Sequence, residues 1–314
     1  MSDSKSFIRR AVPWPIVYIL RRLRGYGRSR GYADPATSQR LLGKVDPLWR
    51  WRIDTVLASP DNAFIPRVPD AGILKDGWIT MHNGLKVSAL GYYGSGVMNM
   101  LVENRGVHEP QEERAFAEVL RHIPAGGTML ELGAYWGFYS LWFAQVVERP
   151  RNFLLEPESE NLTSAGQNFE FNGGTAVFDM AYVGATDGRS DNGTPIVTVD
   201  TYCARQGIER LSILHADIQG AELDMLRGAR RMLSGGHVDY VFISTHSDDL
   251  HRDCADALKA YGYTILASAD IEETYSVDGL LVAKRASLDG PTEIPISSRS
   301  AAGRETGGES SEPR

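Results

Sequence analysis

The chain has 314 residues, 42% of them apolar and 23% charged, which excludes global disorder, collagen and coiled coil and suits one large domain with extensions. Its two cysteines, Cys203 and Cys254, can build neither a disulfide framework nor a thiolate zinc site, so the chain reads as cytoplasmic. Of 33 basic side chains, eight sit in residues 1–30 against one acid, leaving 25 basic and 39 acidic residues in a body at −14 with no basic face for nucleic acid.

Residues 1–30 form a basic arm at +7. Its apolar stretch Trp14-Pro15-Ile16-Val17-Tyr18-Ile19-Leu20 precedes Arg21-Arg22-Leu23-Arg24 and is far short of the ~20 residues a spanning helix needs. The charges follow the apolar run, which is the wrong order for a signal peptide. Two readings stay open: a weak peripheral contact with the anionic inner face of a membrane, or an arm that packs on its own domain or on a second copy of the chain.

Residues 31–105 read as an irregular cap that leans on the main domain. Turn signals recur at Asp34-Pro35, Ser59-Pro60-Asp61-Asn62, Val68-Pro69-Asp70 and Asn83-Gly84. Asn83-Gly84 lies between β-like pieces at 77–82 and 85–89, a hairpin signal. Tyr92 and Tyr93 sit in the glycine-rich loop 91–96.

The pattern changes to α/β over 106–286. A helix over 110–123 opens with Pro110 in its first turn. Strands are then expected over 128–132, 152–155, 176–183, 212–216, 238–244, 264–267 and 280–282. Helices are expected over 139–147, 158–171, 199–205, 221–233 and 250–261. Alternation at this spacing means βαβ units and a mostly parallel sheet with helices on both faces. Residues 287–314, rich in Ser, Gly, Glu and Arg, read as a disordered tail.

Ligands of such a sheet bind at the carboxyl ends of its strands. The first strand runs into Glu131-Leu132-Gly133-Ala134-Tyr135-Trp136-Gly137-Phe138-Tyr139-Ser140. Gly133 permits a sharp turn, and Gly137 sits at the mouth of a helix. A dinucleotide fingerprint has a second glycine where this chain has Tyr135, and the acidic Glu131 would repel a pyrophosphate. The turn suits a cationic ligand with an amino acid group, such as S-adenosyl-L-methionine. Glu156 ends the second strand, 25 residues on, where a carboxylate can accept from both ribose hydroxyls.

These residues resemble the FkbM family of S-adenosylmethionine-dependent methyltransferases. The resemblance rests on the run 131–140, on Glu156-Pro157 with Asn161, Asn168 and Asn172, and on Val197-Thr198-Val199-Asp200. It rests most specifically on Asp217-Ile218-Gln219-Gly220-Ala221-Glu222 with Leu226, Gly228 and Ala229 behind it, and it includes Glu109-Pro110 at its start. The family often has Asn where Tyr135 stands and an acid where Gln219 stands. The resemblance covers about residues 105–250. It implies a Rossmann-like methyltransferase fold with a seven-stranded sheet ending in an antiparallel strand, and an O-methyltransferase acting on hydroxyls of saccharides, glycolipids or related small metabolites. Glu109, Glu131, Gly133, Ala134, Tyr135, Gly137, Glu156, Asp217 and Gln219 are the expected cofactor-binding set.

Methyl transfer to a hydroxyl gains from a base. His246, at the end of the strand over 238–244, is the expected general base, with Asp217 orienting it; His215 reads as a core histidine. Asp217, Glu222 and His246, with His251 and Asp248 or Asp249 assisting, are also candidates for a divalent ion such as Mg²⁺. Tyr92, Tyr93, Tyr135 and Trp136 are candidates to stack on a sugar or to shield a sulfonium. The competing readings are a nicotinamide oxidoreductase, which Tyr135 and Glu131 disfavour, and a non-catalytic nucleotide-binding module on the same sheet.

Overall fold

The computed structural model describes residues 34–300; the basic arm and residues 301–314 lie outside the described residues. The described chain opens with helices α1 (Pro35–Leu41) and α2 (Pro47–Leu57). Each starts the way its sequence dictates. Asp34 and Asp46 cap the orphan amides, Asp46 accepting from Leu48 and Trp49 at 3.0 Å, and a proline follows where no N–H is needed. A 3₁₀ turn (Pro60–Phe64) leads to an antiparallel meander, β1 (Leu74–Lys75), β2 (Trp78–Thr80) and β3 (Lys86–Ser88), then helix α3 (Ser95–Glu103). The hairpin expected at Asn83-Gly84 forms between β2 and β3. The region expected to be irregular is therefore three helices and a small sheet; its elements are short, and closely spaced turn residues mask their periodicity.

The main domain follows with α4 (Pro110–Leu120), β4 (Thr128–Leu132), α5 (Phe138–Val146), β5 (Arg151–Leu155), α6 (Ser159–Asn172) and β6 (Val177–Asp179). A side sheet, β7 (Tyr182–Val183), β8 (Gly188–Arg189) and β9 (Pro195–Val197), precedes α7 (Val199–Arg205) and β10 (Leu211–Ala216). Helices α8 (Glu222–Gly228) and α9 (Arg230–Ser234), strand β11 (Val238–Thr245), helix α10 (Asp248–Ala260), β12 (Tyr263–Ala269) and β13 (Gly279–Arg285) complete it.

The seven-stranded sheet has the order β12-β13-β11-β10-β4-β5-β6. β13 pairs antiparallel with both neighbours; the pairs from β11 through β6 are parallel. The order reverses between β4 and β10, which places the ligand crevice there. Two expectations are corrected. The strand over 176–183 is two strands in different sheets, because the chain leaves the edge of the main sheet after Asp179. The helix over 221–233 breaks at Ala229, where Gly228 passes so close to the side sheet that a Cβ would collide with the Gly184 carbonyl.

The buried strands alternate between two apolar layers. Met129, Leu154, Ile213, Phe242 and Val282 face α4, α5, α6 and the N-terminal region, with Phe116, Phe138 and Phe169 between them. Leu130, Leu155, Leu214, Val241 and Leu281 face α7 to α10. The N-terminal region is tied to α6 by side chains that imitate a neighbouring strand. Asn168 accepts from the Ser88 amide at 2.9 Å; Asn172 accepts from the Lys86 amide at 2.9 Å and donates to its carbonyl at 2.7 Å. Those two motif asparagines therefore hold the cap.

The tail expected to be disordered from 287 is, as far as residue 300, attached to the body. The Ile294 amide bonds Leu266 O, and the Ser297 amide bonds the buried Asp61, which also takes Arg114 at 2.6 Å. Ile294 is buried. One apolar anchor and a shared carboxylate outweigh the polar composition of the segment.

Candidate active site

Five chain segments meet at the carboxyl edge of the sheet beside the switch point: the turns after β4, β5, β10 and β11, and the segment leading into β13. Because β13 runs against its neighbours, its beginning, not its end, lies at that edge.

The turn after β4 is set by Gly133, at φ +70°, where any Cβ would collide with the Asp217 carbonyl of the turn after β10. The two turns can touch only because this side chain is absent. The Gly133 and Ala134 amides donate to Leu155 O, and Gly137, at φ +68°, starts α5. Tyr135 occupies the left-handed region at φ +42°, a costly conformation for a tyrosine. Its amide is thereby aimed at Glu156 Oε2, 3.1 Å away. Its ring turns onto Tyr92 and Tyr93 of the cap loop at 4.8 and 4.9 Å.

Glu156 is 4% exposed, and burial pushes its carboxyl up to about 7. Oε1 accepts from the Glu158 amide and from Asn161, both at 3.0 Å; among the described residues Oε2 accepts from Tyr135 alone. A carboxylate oxygen has two lone-pair sites, so Oε2 has room for a further donor such as a hydroxyl. Glu131 proves to hold the turn itself: its Oε2 accepts from the Ser140 amide at 3.1 Å, in the first turn of α5, and burial raises its pKa.

On the other side of the switch point, His246 is buried in a cage of acids. Nδ1 lies 3.0 Å from Glu222 Oε1; Nε2 lies 3.3 Å from Asp217 Oδ1 and 3.5 Å from Asp278 Oδ1. The Gln219 amide nitrogen is 2.9 Å from both Asp217 Oδ1 and His246 Nε2. Gln219 itself sits at φ +57°, and Glu222 accepts from the Ile218 and Gly220 amides, which fixes the bend. Burial opposes a charge on His246, but Asp278, Asp217 and Glu222 outweigh it and hold its pKa well above the usual value. The imidazole expected to act as a base thus lies among three acids whose charges favour its protonated form.

Asp278 was not singled out from the sequence. Its carboxyl is pushed up to about 6 by burial, against the pull of His246. Among the described residues its only ionic or hydrogen-bonding partner is His246. It lines a small cavity of about 10 Å³, room for about one water, together with Glu109, Ser244 and Ser276. The signal that could have found it is the antiparallel last strand, which brings its first residues to the reacting edge.

Glu109 reaches the same place from the start of α4. It accepts from Tyr139 Oη at 3.2 Å and Ser276 Oγ at 3.3 Å, and pairs with His108 at 3.3 Å. Burial works against its charge, but His108 wins and holds it at about 2. His215 is the core histidine expected, 2.7 Å from Glu112.

The metal candidates do not converge. Glu222 and Asp217 lie on opposite ring nitrogens of His246. His251 is drawn away by Thr245 and Ser268, each at 2.9 Å. Asp248 bonds the Ile271 amide, and Asp249 pairs with Arg252. Among the described residues no group of three such side chains is arranged around an ion.

The edge does fit S-adenosylmethionine. Carboxylates converge at this edge, which suits a ligand carrying a sulfonium and an ammonium, Glu156 Oε2 can take a hydroxyl donor, and the glycine turn brings both sides of the crevice together. A sheet of this order with this turn defines a Rossmann-like methyltransferase. Residues 109–265 match the Methyltransferase FkbM domain, half of the chain. The protein belongs to the FkbM methyltransferase family, and S-adenosylmethionine is its methyl donor.

No curated protein matches the sequence. Among solved structures the chain is similar to a precorrin-6y C5,15-methyltransferase from Geobacter metallireducens, at 13% identity over 56% of this chain and 88% of that one, TM-score 0.39. It is similar to a ribosomal protein L11 methylase from Lactobacillus delbrueckii at 12% identity over 58% and 81%, TM-score 0.37. An rRNA methylase from Streptococcus thermophilus aligns at 10% identity over 56% and 96%, TM-score 0.39. Likenesses this loose say nothing of the acceptor. No helix among the described residues is long and apolar enough to cross a membrane.

Proposed function

We propose that the protein is an O-methyltransferase acting on a hydroxyl of a saccharide, glycolipid or related small metabolite. One juxtaposition carries this reading: an aromatic platform lies beside a carboxylate with an uncommitted lone pair. The half-buried rings of Tyr93 and Tyr135 lie 4.9 Å apart, backed by the buried stack of Tyr92 on Trp136 at 4.5 Å. Such faces suit the apolar side of a pyranose, and the neighbouring acids suit its hydroxyls. Asp217 and Asp278 lie close enough for their charges to raise the Tyr93 pKa beyond what burial does, which supports a platform beside these acids.

The donor, when bound, supplies a methyl group already activated by its sulfonium. Glu156 grips the ribose. Asp278 receives the proton of the acceptor hydroxyl, and its elevated pKa suits that task near neutrality. Asp217 and His246 belong to the same constellation. The imidazolium spans Asp217, Glu222 and Asp278 and fixes where those oxygens point.

The test is transfer of labelled methyl from S-adenosylmethionine to a panel of methyl glycosides and lipid-linked saccharides, with products located by mass spectrometry. Label on a sugar oxygen supports the reading. Label on a nitrogen or carbon, or transfer only to non-saccharide acceptors lacking a hydroxyl, sinks it.

A further inference from the structure

Helix α2 carries two arginines with different fates. Arg50 finds two acids, Asp54 at 2.8 Å and Glu103 at 2.8 Å. Arg52, half-buried, has no hydrogen bond or ion pair among the described residues, and its Nε is sealed from solvent without an acceptor. Its guanidinium lies 5.1 Å over the Trp49 ring. Trp49 packs against Gly96, where a Cβ would collide with the indole. Arg52 is therefore seated at the root of the 91–96 loop, which lays Tyr92 and Tyr93 over Tyr135. Its charge reaches the reacting edge, where it favours ionised Glu109 and Asp278.

That edge is otherwise acidic, and among the described residues the two histidines beside it already face acids. His108 is wedged between Glu109 and Glu113, and His246 among Asp217, Glu222 and Asp278. S-adenosylmethionine brings a sulfonium and an ammonium, which the acids serve. It also brings a carboxylate, which they repel. We propose that Arg52 binds the carboxylate of the donor's methionine moiety, so that the N-terminal region, outside the family match, completes the cofactor site. This rests on the donor assigned above. A guanidinium is suited to the task, since its planar fork meets a carboxylate with two parallel N–H bonds.

Calorimetry on the full chain tests it with two probes, S-adenosylhomocysteine and 5′-methylthioadenosine. The second keeps the adenosine and sulfur but lacks the amino acid tail. Arg52→Gln should weaken S-adenosylhomocysteine about 10–100-fold, the range of a lost charged hydrogen-bond pair. Arg52→Lys should recover part of that loss, and 5′-methylthioadenosine should bind all three proteins within about twofold of one another. Unchanged S-adenosylhomocysteine binding overturns the proposal, as does equal weakening of both probes, which would mark a structural arginine. Wild-type protein that binds neither probe overturns the donor assignment itself, a result distinct from binding both with Arg52 indifferent.

Discussion

Two histidines in this protein sit between carboxylates, and they do opposite things. His108 lies 2.6 Å from Glu113 and 3.3 Å from Glu109, within a fully buried knot that includes His82 and the Tyr139 hydroxyl. His246 lies among Asp217, Glu222 and Asp278 at comparable distances. The difference is in how many partners the acids have. Around His108 each acid has several partners: Glu113 Oε1 accepts the His108 and Glu109 amides, and Glu109 accepts two hydroxyls. Around His246 one acid, Asp278, has no second partner among the described residues and borders a cavity. The same ion-pair chemistry ties the cap down where the acids have many partners and leaves Asp278 with one.

The sharpest way to break that contrast is Asp278→Asn. Turnover should fall about 10²–10⁴-fold, the contribution typical of a positioned base. S-adenosylhomocysteine affinity and Tm should stay close to wild type, because the carboxamide keeps the shape and no protein donor is stranded. His246→Gln should lower turnover less, since it disturbs the placing of Asp278 rather than its proton affinity. Equal activity of Asp278→Asn and wild type on any accepted substrate would remove Asp278 from the mechanism.

The sealed site should respond in the other currency. Glu113→Gln strands the His108 imidazolium with half its counter-charge and turns an amide N–H toward His82. Breaking a buried pair from one side costs about 3–5 kcal/mol. That reads as a fall in Tm of roughly 10 °C for a domain of this size. Donor affinity, measured well below the new Tm, should change little. A loss of affinity without a loss of stability would mean that the knot belongs to the cofactor site after all.

The contrast also marks what sequence can reveal. The sheet was legible because buried parallel strands are written as short apolar runs with helices between them, and the glycine turn because Gly133 has no substitute where two backbones touch. Glu156 was legible by its place at a strand end. Of the cap only the Asn83-Gly84 hairpin was legible, since its strands are two or three residues long. Nor were the partners of His246, because proximity across a sheet is a tertiary fact. Asp278 lies 32 positions away from it in the chain, on a loop before an antiparallel strand. The surroundings of His246 were hidden for the same reason: pattern shows an imidazole at a strand end, and only the fold shows three acids around it.

The smallest effect is the most specific. His108 has its pKa raised to about 10 from the usual 6.5, burial opposing the shift and Glu109 and Glu113 overriding it. His82, beside the same Glu113, is pushed the other way by burial and stays neutral. Between pH 6.5 and 10 the folded protein therefore holds a proton on His108 that the unfolded chain has released. Stability from that proton is whole below pH 6.5 and is lost as pH climbs toward 10. His108→Gln has none of it to lose. The Tm gap between wild type and His108→Gln should thus be widest near pH 6 and shrink by a few degrees by pH 10. Melting both proteins across that range by calorimetry makes the comparison, and common titrations of lysines and tyrosines cancel in the difference. A gap that stays constant would show that the His108 proton is not part of what holds the cap down.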